Sequence, residues 1–284
     1  MQPADMSLIA RIAEPSDHDL VARLCRRAVG SGDYVLRILR ETIAEKGLFL
    51  AWSNGKLVGI ANFEKCIDGS GWLSMGRTDP QWRRRGVALF LQQQITVHAR
   101  RKGIPCMRLW ILSNNSPSLL TAKKGGFRPV CEAAHVSFST QVKRGSAQPH
   151  LHRSTSSESL KSLLSRDYLS KMNGYFGYKW HFVKASEKLL KRLAEKGELY
   201  SDGERSFILT KPEIAFDRYY SSFTLLNGSA GSSLRQVKKI AEHYSALRLG
   251  SYLPYDRHVL TVARRTGFRR DPWGKHCIVF EKKI

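Results

Sequence analysis

The stretch with the clearest chemical content is Thr78-Asp79-Pro80-Gln81-Trp82-Arg83-Arg84-Arg85-Gly86-Val87-Ala88-Leu89. It joins an apolar run that reads as a strand to a run with helical periodicity. The first amides of a helix have no partner inside it and lie at the positive end of its dipole, so phosphate oxygens are stabilised there. Gly86 lets a ligand come close to the backbone, and Ala88 keeps the next contact small. Arg83, Arg84 and Arg85 add attraction at longer range without having to touch the ligand. Spacing alone would equally describe an ordinary helix start after a basic turn. The five cysteines (Cys25, Cys66, Cys106, Cys131 and Cys277) are scattered, and no Cys-x-x-Cys occurs. Neither a metal site nor a disulfide framework is expected from them.

The elements that must position this segment alternate between strand and helix signals. A short strand at 8–12 precedes a helix at 17–29 that Ser16 can cap, with Leu20, Val21, Leu24 and Ala28 on one face. A second helix fits 34–45. Asn54-Gly55 between two apolar runs marks a hairpin. A strand at 72–78 then feeds the basic segment and a helix from about 86 to 101. A strand at 107–112, a helix at 117–124 and a strand at 135–139 close the first half. Residues 139–157 are polar and poor in large apolar groups, as a linker is. The second half reads as helix 158–172, an alternating aromatic strand (Phe176, Tyr178, Trp180, Phe182), and a helix capped by Ser186. It continues with a hairpin at Asp202-Gly203, a strand at 223–226, a helix at 233–244, and a final strand–helix–strand. The two halves end alike: Leu120-Thr121-Ala122-Lys123-Lys124-Gly125-Gly126-Phe127-Arg128 in one, Leu260-Thr261-Val262-Ala263-Arg264-Arg265-Thr266-Gly267-Phe268-Arg269 in the other, with a one-residue slip.

The basic segment resembles the acyl-CoA-binding motif of the GNAT superfamily of N-acetyltransferases, Arg/Gln-x-x-Gly-x-Gly/Ala, which Arg83, Gly86 and Ala88 match in order. The family's downstream pattern, Asn-x-x-Ala-x-x-Leu-Tyr-x-x-x-Gly-Phe, is met by Asn115, Gly126 and Phe127, with Ser118 at the small-residue place. The resemblance covers the first half well and the second only loosely. It implies an α/β (α+β) fold of tandem GNAT-like domains. Each would be a mixed, largely antiparallel sheet with flanking helices and a central parallel strand pair that splays apart. Residues 1–140 would form the catalytic domain, 141–157 a linker and 158–284 a degenerate second domain. Acetyl-CoA would be the acyl donor, wedged between the strands at 72–78 and 107–112. Main-chain groups near Gly76, Arg77 and Thr78 would hold its pantetheine, and residues 84–89 its pyrophosphate. A substrate amine would attack the thioester directly, so no cysteine nucleophile and no metal would be needed.

Departures from the family pattern are informative. The family's tyrosine, which protonates the leaving thiolate in many members, aligns with Ala122. The strand at 72–78 has no carboxylate, leaving Glu64, at the end of the preceding strand, and His135 as candidate bases. Each also reads as an ordinary strand residue. In the second half Leu225 stands where the motif needs Arg or Gln, Gly228 and Ala230 survive, Asp256 replaces the asparagine, and Ala263 replaces the tyrosine. That half is expected to bind no acetyl-CoA of its own.

Composition sets the outer limits. The 284 residues are 42% hydrophobic, enough for a core and for two domains. No run is apolar enough to span a membrane, and the N-terminus lacks signal-peptide character, so a cytoplasmic protein is expected. The net charge is +23 and is shared by both halves. Such a field attracts polyanions, whether nucleic acid, a ribosome, anionic lipid or a phosphorylated cofactor, and disfavours polyamine acceptors. The leading expectation is an acetyl-CoA-dependent N-acetyltransferase acting on a primary amine, possible acceptors being acidic or nucleic-acid-linked, in a monomer or homodimer. The alternative is a non-catalytic acyl-CoA-binding or RNA-binding module on the same scaffold.

Overall fold

Short apolar runs separated by turn residues build the first strands of the chain. The computed structural model describes residues 7–139, 157–202, 204–215, 218–243, 246–271 and 276–284. In chain order these begin with β1 (Ile9–Ile12), α1 (His18–Ala28), α2 (Val35–Ala44), β2 (Leu48–Ser53), β3 (Lys56–Lys65), β4 (Gly71–Thr78), α3 (Val87–Arg101), β5 (Cys106–Leu112), α4 (Ser116–Lys124) and β6 (Arg128–Ser139). There follow α5 (Ser157–Leu164), α6 (Asp167–Lys171), β7 (Tyr175–Tyr178), β8 (His181–Lys184), α7 (Glu187–Glu195), β9 (Leu199–Ser201), β10 (Ser206–Leu209), β11 (Glu213–Ala215) and β12 (Arg218–Asn227). The chain ends with α8 (Ala230–His243), β13 (Arg248–Pro254), α9 (Arg257–Arg265), β14 (Arg269–Arg270) and β15 (Cys277–Lys283). It divides into two compact units. Unit 1 is Met1–Leu109, Ser116–Arg128 and Glu281–Ile284; unit 2 is Trp110–Asn115 and Pro129–Phe280. Strand β6 therefore groups with unit 2, and the last residues of the chain with unit 1. Most of the 141–157 segment lies outside the described residues. No described helix is long and apolar enough to cross a membrane.

In unit 1, β1, β2, β3 and β4 form an antiparallel meander, and β4 pairs with β5 in parallel. Asn54 and Gly55 both take left-handed φ (47° and 71°), which the tight β2–β3 hairpin requires. Strands alternate faces. Ile60 packs with Val21, Leu24, Leu39 and Ile43 of α1 and α2. Its neighbour Gly59 faces α3, where a Cβ would stand 2.6 Å from Val87. Gly59 thus lets α3 lie directly on the sheet. Each fully buried Leu or Ile in this core contributes about 1.5–3 kcal/mol. Leu20, expected on the buried face of α1, is 39% exposed, and Ala22 and Cys25 are buried instead. Ser16 lies in a one-turn helix at Pro15–Asp17, so Asp17 precedes α1.

In unit 2, β6 is antiparallel to β13, β13 parallel to β12, and β12 antiparallel to β10, which pairs with β9. One of its cores joins Leu234, Val237 and Ile240 of α8 to Val259 of α9 and Phe223 and Leu225 of β12. The aromatic run is not one strand. It is the β7–β8 hairpin, with Phe176 opposite Val183 and Tyr178 opposite His181. The turn carries left-handed Lys179 (φ 57°), a residue type that gives no turn signal. Helix α8 begins at Ala230, three residues before the expected start, and β12 extends well upstream of 223. Ser186 Oγ caps α7 by accepting from Leu189 N, as expected.

Candidate functional site

The parallel pair β4–β5 is in register only at Gly71↔Met107 and Trp72↔Arg108. Strand β4 continues to Thr78, so its last six residues have no β5 partner. The same stretch carries a bulge. Ile60 opposes Arg77 and Asn62 opposes Ser74, which leaves Met75 and Gly76 facing Ala61 alone. Met75 adopts φ 54° there. A bulge of this kind bends the strand and frees backbone groups from the ladder. Gly76 is exposed, with nothing within 4 Å of where a Cβ would be.

After Thr78 the chain makes a short turn at Pro80–Trp82. Asp79 accepts from Gln81 N and pairs with Arg27 Nη2 at 2.8 Å, so it is a turn-former. Arg83 donates to Ala28 O at 2.7 Å, tying the connection to the end of α1, and the Arg85 guanidinium stands 5.4 Å over Trp82. Arg84 (φ 62°) and Gly86 (φ 80°) are both left-handed. The first amide of α3 with a partner is that of Phe90, which donates to Gly86 O at 2.9 Å. Among the described residues, the amides of 84–89 donate to nothing. Gly86 has no atom within 4 Å of a would-be Cβ. A run of unpartnered amides bordering open space, with three exposed arginines around it, fits a polyphosphate. In acetyl-CoA that group is the pyrophosphate.

Other expected residues lie as follows. The Arg77 guanidinium is committed to Asp33, Nε at 2.8 Å and Nη2 at 2.7 Å, and stacks 5.4 Å over Tyr34. Only its backbone is left for a ligand. Asp33, Tyr34 and Gly59 were not singled out from sequence, because nothing in their spacing marks them. Glu64 Oε1 accepts from Asn62 Nδ2 at 2.8 Å and from Ser74 Oγ at 3.5 Å, the latter on the unpaired part of β4. Ala122 is wholly buried, and its carbonyl accepts from Phe127 N. No phenol stands at that position. Burial pushes the thiol of Cys25 up to about 11, of Cys66 to about 12 and of Cys106 to about 11, so none is a ready nucleophile.

Asn115 and His135 belong to unit 2, apart from the other named residues. His135 Nδ1 is hydrogen-bonded to Asp271, its ring stacks on Trp180 at 5.7 Å and meets Tyr252 edge-on at 4.8 Å. Burial works against the Asp271 charge. Hydrogen bonds from His135 and Ser137, with Arg248 nearby, nevertheless hold it below the ordinary carboxylate range.

Residues 19–127 match the model of the Acetyltransferase (GNAT) family. No protein of curated function matches the chain by sequence. Among solved structures, a candidate acetyltransferase from Thermoplasma acidophilum is similar at 17% identity and TM-score 0.58, covering 97% of this chain and all of the other. A GCN5-related N-acetyltransferase from Sphaerobacter thermophilus is similar at 15% identity and TM-score 0.56, covering 97% of this chain and 95% of the other. A glucosamine N-acetyltransferase region of a fungal multi-domain β-N-acetylglucosaminidase is similar at 13% identity and TM-score 0.57, covering 98% of this chain and 38% of the other. Identities this low speak for the fold alone. The segment matched by the family model is the one that holds the bulged strand, the open turn after it and the helix that follows, and over that segment the chain is similar to the GNAT acetyltransferase family.

Proposed function

We propose that the chain is an acetyl-CoA-dependent N-acetyltransferase that acts on a primary amine and takes its donor at the β4–α3 connection. The observation that carries this reading is the run of unpartnered amides at 84–89 around the open Gly86, at the end of a strand that has left its parallel neighbour. The amides of Arg84, Arg85, Gly86, Val87, Ala88 and Leu89 would hold the pyrophosphate, and the freed backbone at Gly76, Arg77 and Thr78 the pantetheine. Asn115 is assigned to the donor by its place in the family motif. Bound there, acetyl-CoA supplies the acetyl group.

The protein's own contribution is positioning and proton transfer. Glu64, oriented by Asn62 and Ser74, is the first choice to take the ammonium proton of the acceptor. His135, fixed at Nδ1 by Asp271, is the second. With Ala122 buried, no side chain there protonates the departing thiolate. A thiol of ordinary pKa, about 8.5, leaves near neutral pH without such help. We further take 1–140 as the donor domain, 141–157 as a linker and 158–284 as a degenerate second domain. The equivalent helix ends support that reading: Gly126 N donates to Lys123 O and Phe127 N to Ala122 O, as Gly267 N does to Arg264 O and Phe268 N to Ala263 O.

Ala122 is also what favours the second reading, a non-catalytic module that binds acyl-CoA without turning it over. Thiol release from acetyl-CoA over a panel of amines and acidic peptides separates the two. The expected result is amine-dependent turnover, lost in Gly86→Glu and kept in Gly86→Asn, since asparagine tolerates the left-handed backbone. Glu64→Gln is expected to lower kcat/KM by about 10²-fold and to remove the acidic limb of the pH profile. No turnover with any amine would leave the non-catalytic reading.

A further inference from the structure

We infer that the α9–β14 face of unit 2, with the adjoining side of α8, is a docking surface for the phosphate backbone of nucleic acid. The face is built by helical spacing. Arg257, Arg264 and Arg265 fall at i, i+7 and i+8, on one side of α9, and all three are exposed. The opposite side carries Val259 and Ala263, which are buried in the core. Immediately after α9, Gly267 turns the chain and the exposed Arg269 and Arg270 follow. Helix α8 packs on α9, and its exposed Arg235 and Lys239 are one turn apart. The Arg235 guanidinium reaches the start of its own helix, where Gly231 approaches Val262 of α9.

Among the described residues, no carboxylate pairs with the cations of this face. Asp256 caps α9 by accepting from Val259 N and is paired with Lys171 at 2.8 Å. Asp271 is buried and holds His135 and Ser137. Glu242, half-buried on α8, forms no ion pair among the described residues. None of the exposed cations named above has a carboxylate partner among them either. In the same unit, Arg205 is paired with Asp202 and Lys179 with Glu213. What sets this group apart is that seven such cations are gathered on neighbouring elements, α8, α9 and β14, with no carboxylate partner among the described residues.

Six of the seven cations are arginines, whose planar forks match phosphate oxygens bidentately. A lipid surface fits less well. An interfacial helix needs its apolar side outward, and α9 turns that side to the core. Among the described residues of unit 2, the large apolar side chains that stand exposed are Leu247 and Tyr255. The surface lies wholly in unit 2 and is argued without the donor site of unit 1.

The test is binding of a labelled single-stranded RNA of about 20 nucleotides by the full-length protein, followed by anisotropy between about 50 and 200 mM salt. The triple variant Arg257→Glu, Arg264→Glu, Arg265→Glu is compared with Lys188→Glu, Lys191→Glu, Arg192→Glu on α7, which makes the same change in net charge at exposed positions. The expected result is at least tenfold weaker binding for the α9 variant only, with its log–log salt slope shallower by about two, since each single-strand phosphate contact contributes about 0.7. The Arg→Gln triple gives the same reading if charge reversal disturbs folding. Equal losses in both variants would mean a diffuse field and overturn the proposal. So would the absence of RNA binding at the lowest salt, or capture by phosphatidylserine vesicles in place of RNA.

Discussion

The two units make the same turn from a splayed parallel strand into a helix, and make it differently. In unit 1 residues 79–86 separate β4 from α3, with three arginines, two left-handed residues and open space at Gly86. In unit 2 only Gly228 and Ser229 separate β12 from α8. That shorter turn is filled by the chain itself. Gly228 O accepts from Tyr168 Oη, Ser232 Oγ accepts from Arg205, and a Cβ at Gly228 would stand 2.8 Å from Glu204 O. Strand β12 still pairs with β13 only at residues 220–222 and still carries a bulge, opposite Ser206 and Phe207. The shared strand arrangement is therefore compatible with an open turn and with a closed one. What differs between them is the length and filling of one connection, and fold alone does not set function.

The largest expected effect sharpens this comparison at the base of each strand pair. Arg108, which pairs with Trp72 at the last registered position of β4–β5, is 4% exposed at its side chain. Burial works against its charge, but Asp68 at 2.6 Å and Glu281 at 2.8 Å hold its pKa above the ordinary arginine value. Its counterpart Arg248, opposite Tyr220, is 36% exposed and only 3.5 Å from Asp271. Arg108→Ala should cost about 3–5 kcal/mol, because two buried carboxylates lose their partner. Arg248→Ala should cost no more than about 1 kcal/mol. Urea titrations of both variants measure the difference, and equal costs would break the comparison.

A smaller effect concerns Asp256, which stands where the family motif has asparagine. The hydrogen bond from Lys171 comes first among the causes that hold its pKa below the ordinary carboxylate value. A depressed folded pKa contributes stability above the unfolded value, about 3.9, and that contribution is lost as pH falls through the folded value. Lys171→Met should therefore lower Tm slightly at pH 6, and the gap from wild type should close below about pH 3. Thermal melts across that range test the sign; a gap that widens in acid would contradict it.

Much of unit 1 was legible because its signals are local. Asn54-Gly55 dictates a hairpin, and Arg83, Gly86 and Ala88 mark a helix start that borders open space. The bulge at Met75 was not legible, since methionine carries no preference for a left-handed backbone; only pairing with β3 reveals it. The β7–β8 hairpin was missed for the same reason at Lys179. Side-chain commitments were also hidden. The spacing of Arg77 says nothing of Asp33, 44 residues away, which claims its guanidinium. His135 could be named as a candidate, but its partner Asp271 lies 136 residues on and comes to it only through the fold.

The central claim is that one of the two connections binds the donor. Calorimetric titration of the intact chain with acetyl-CoA, beside Gly86→Glu and Gly228→Ala, tests it most directly. The account predicts one site per chain, lost in Gly86→Glu and kept in Gly228→Ala, whose effect should be a lower Tm from the strained φ of 94° and the crowded Cβ. Two sites per chain, or binding lost in Gly228→Ala and retained in Gly86→Glu, would contradict it.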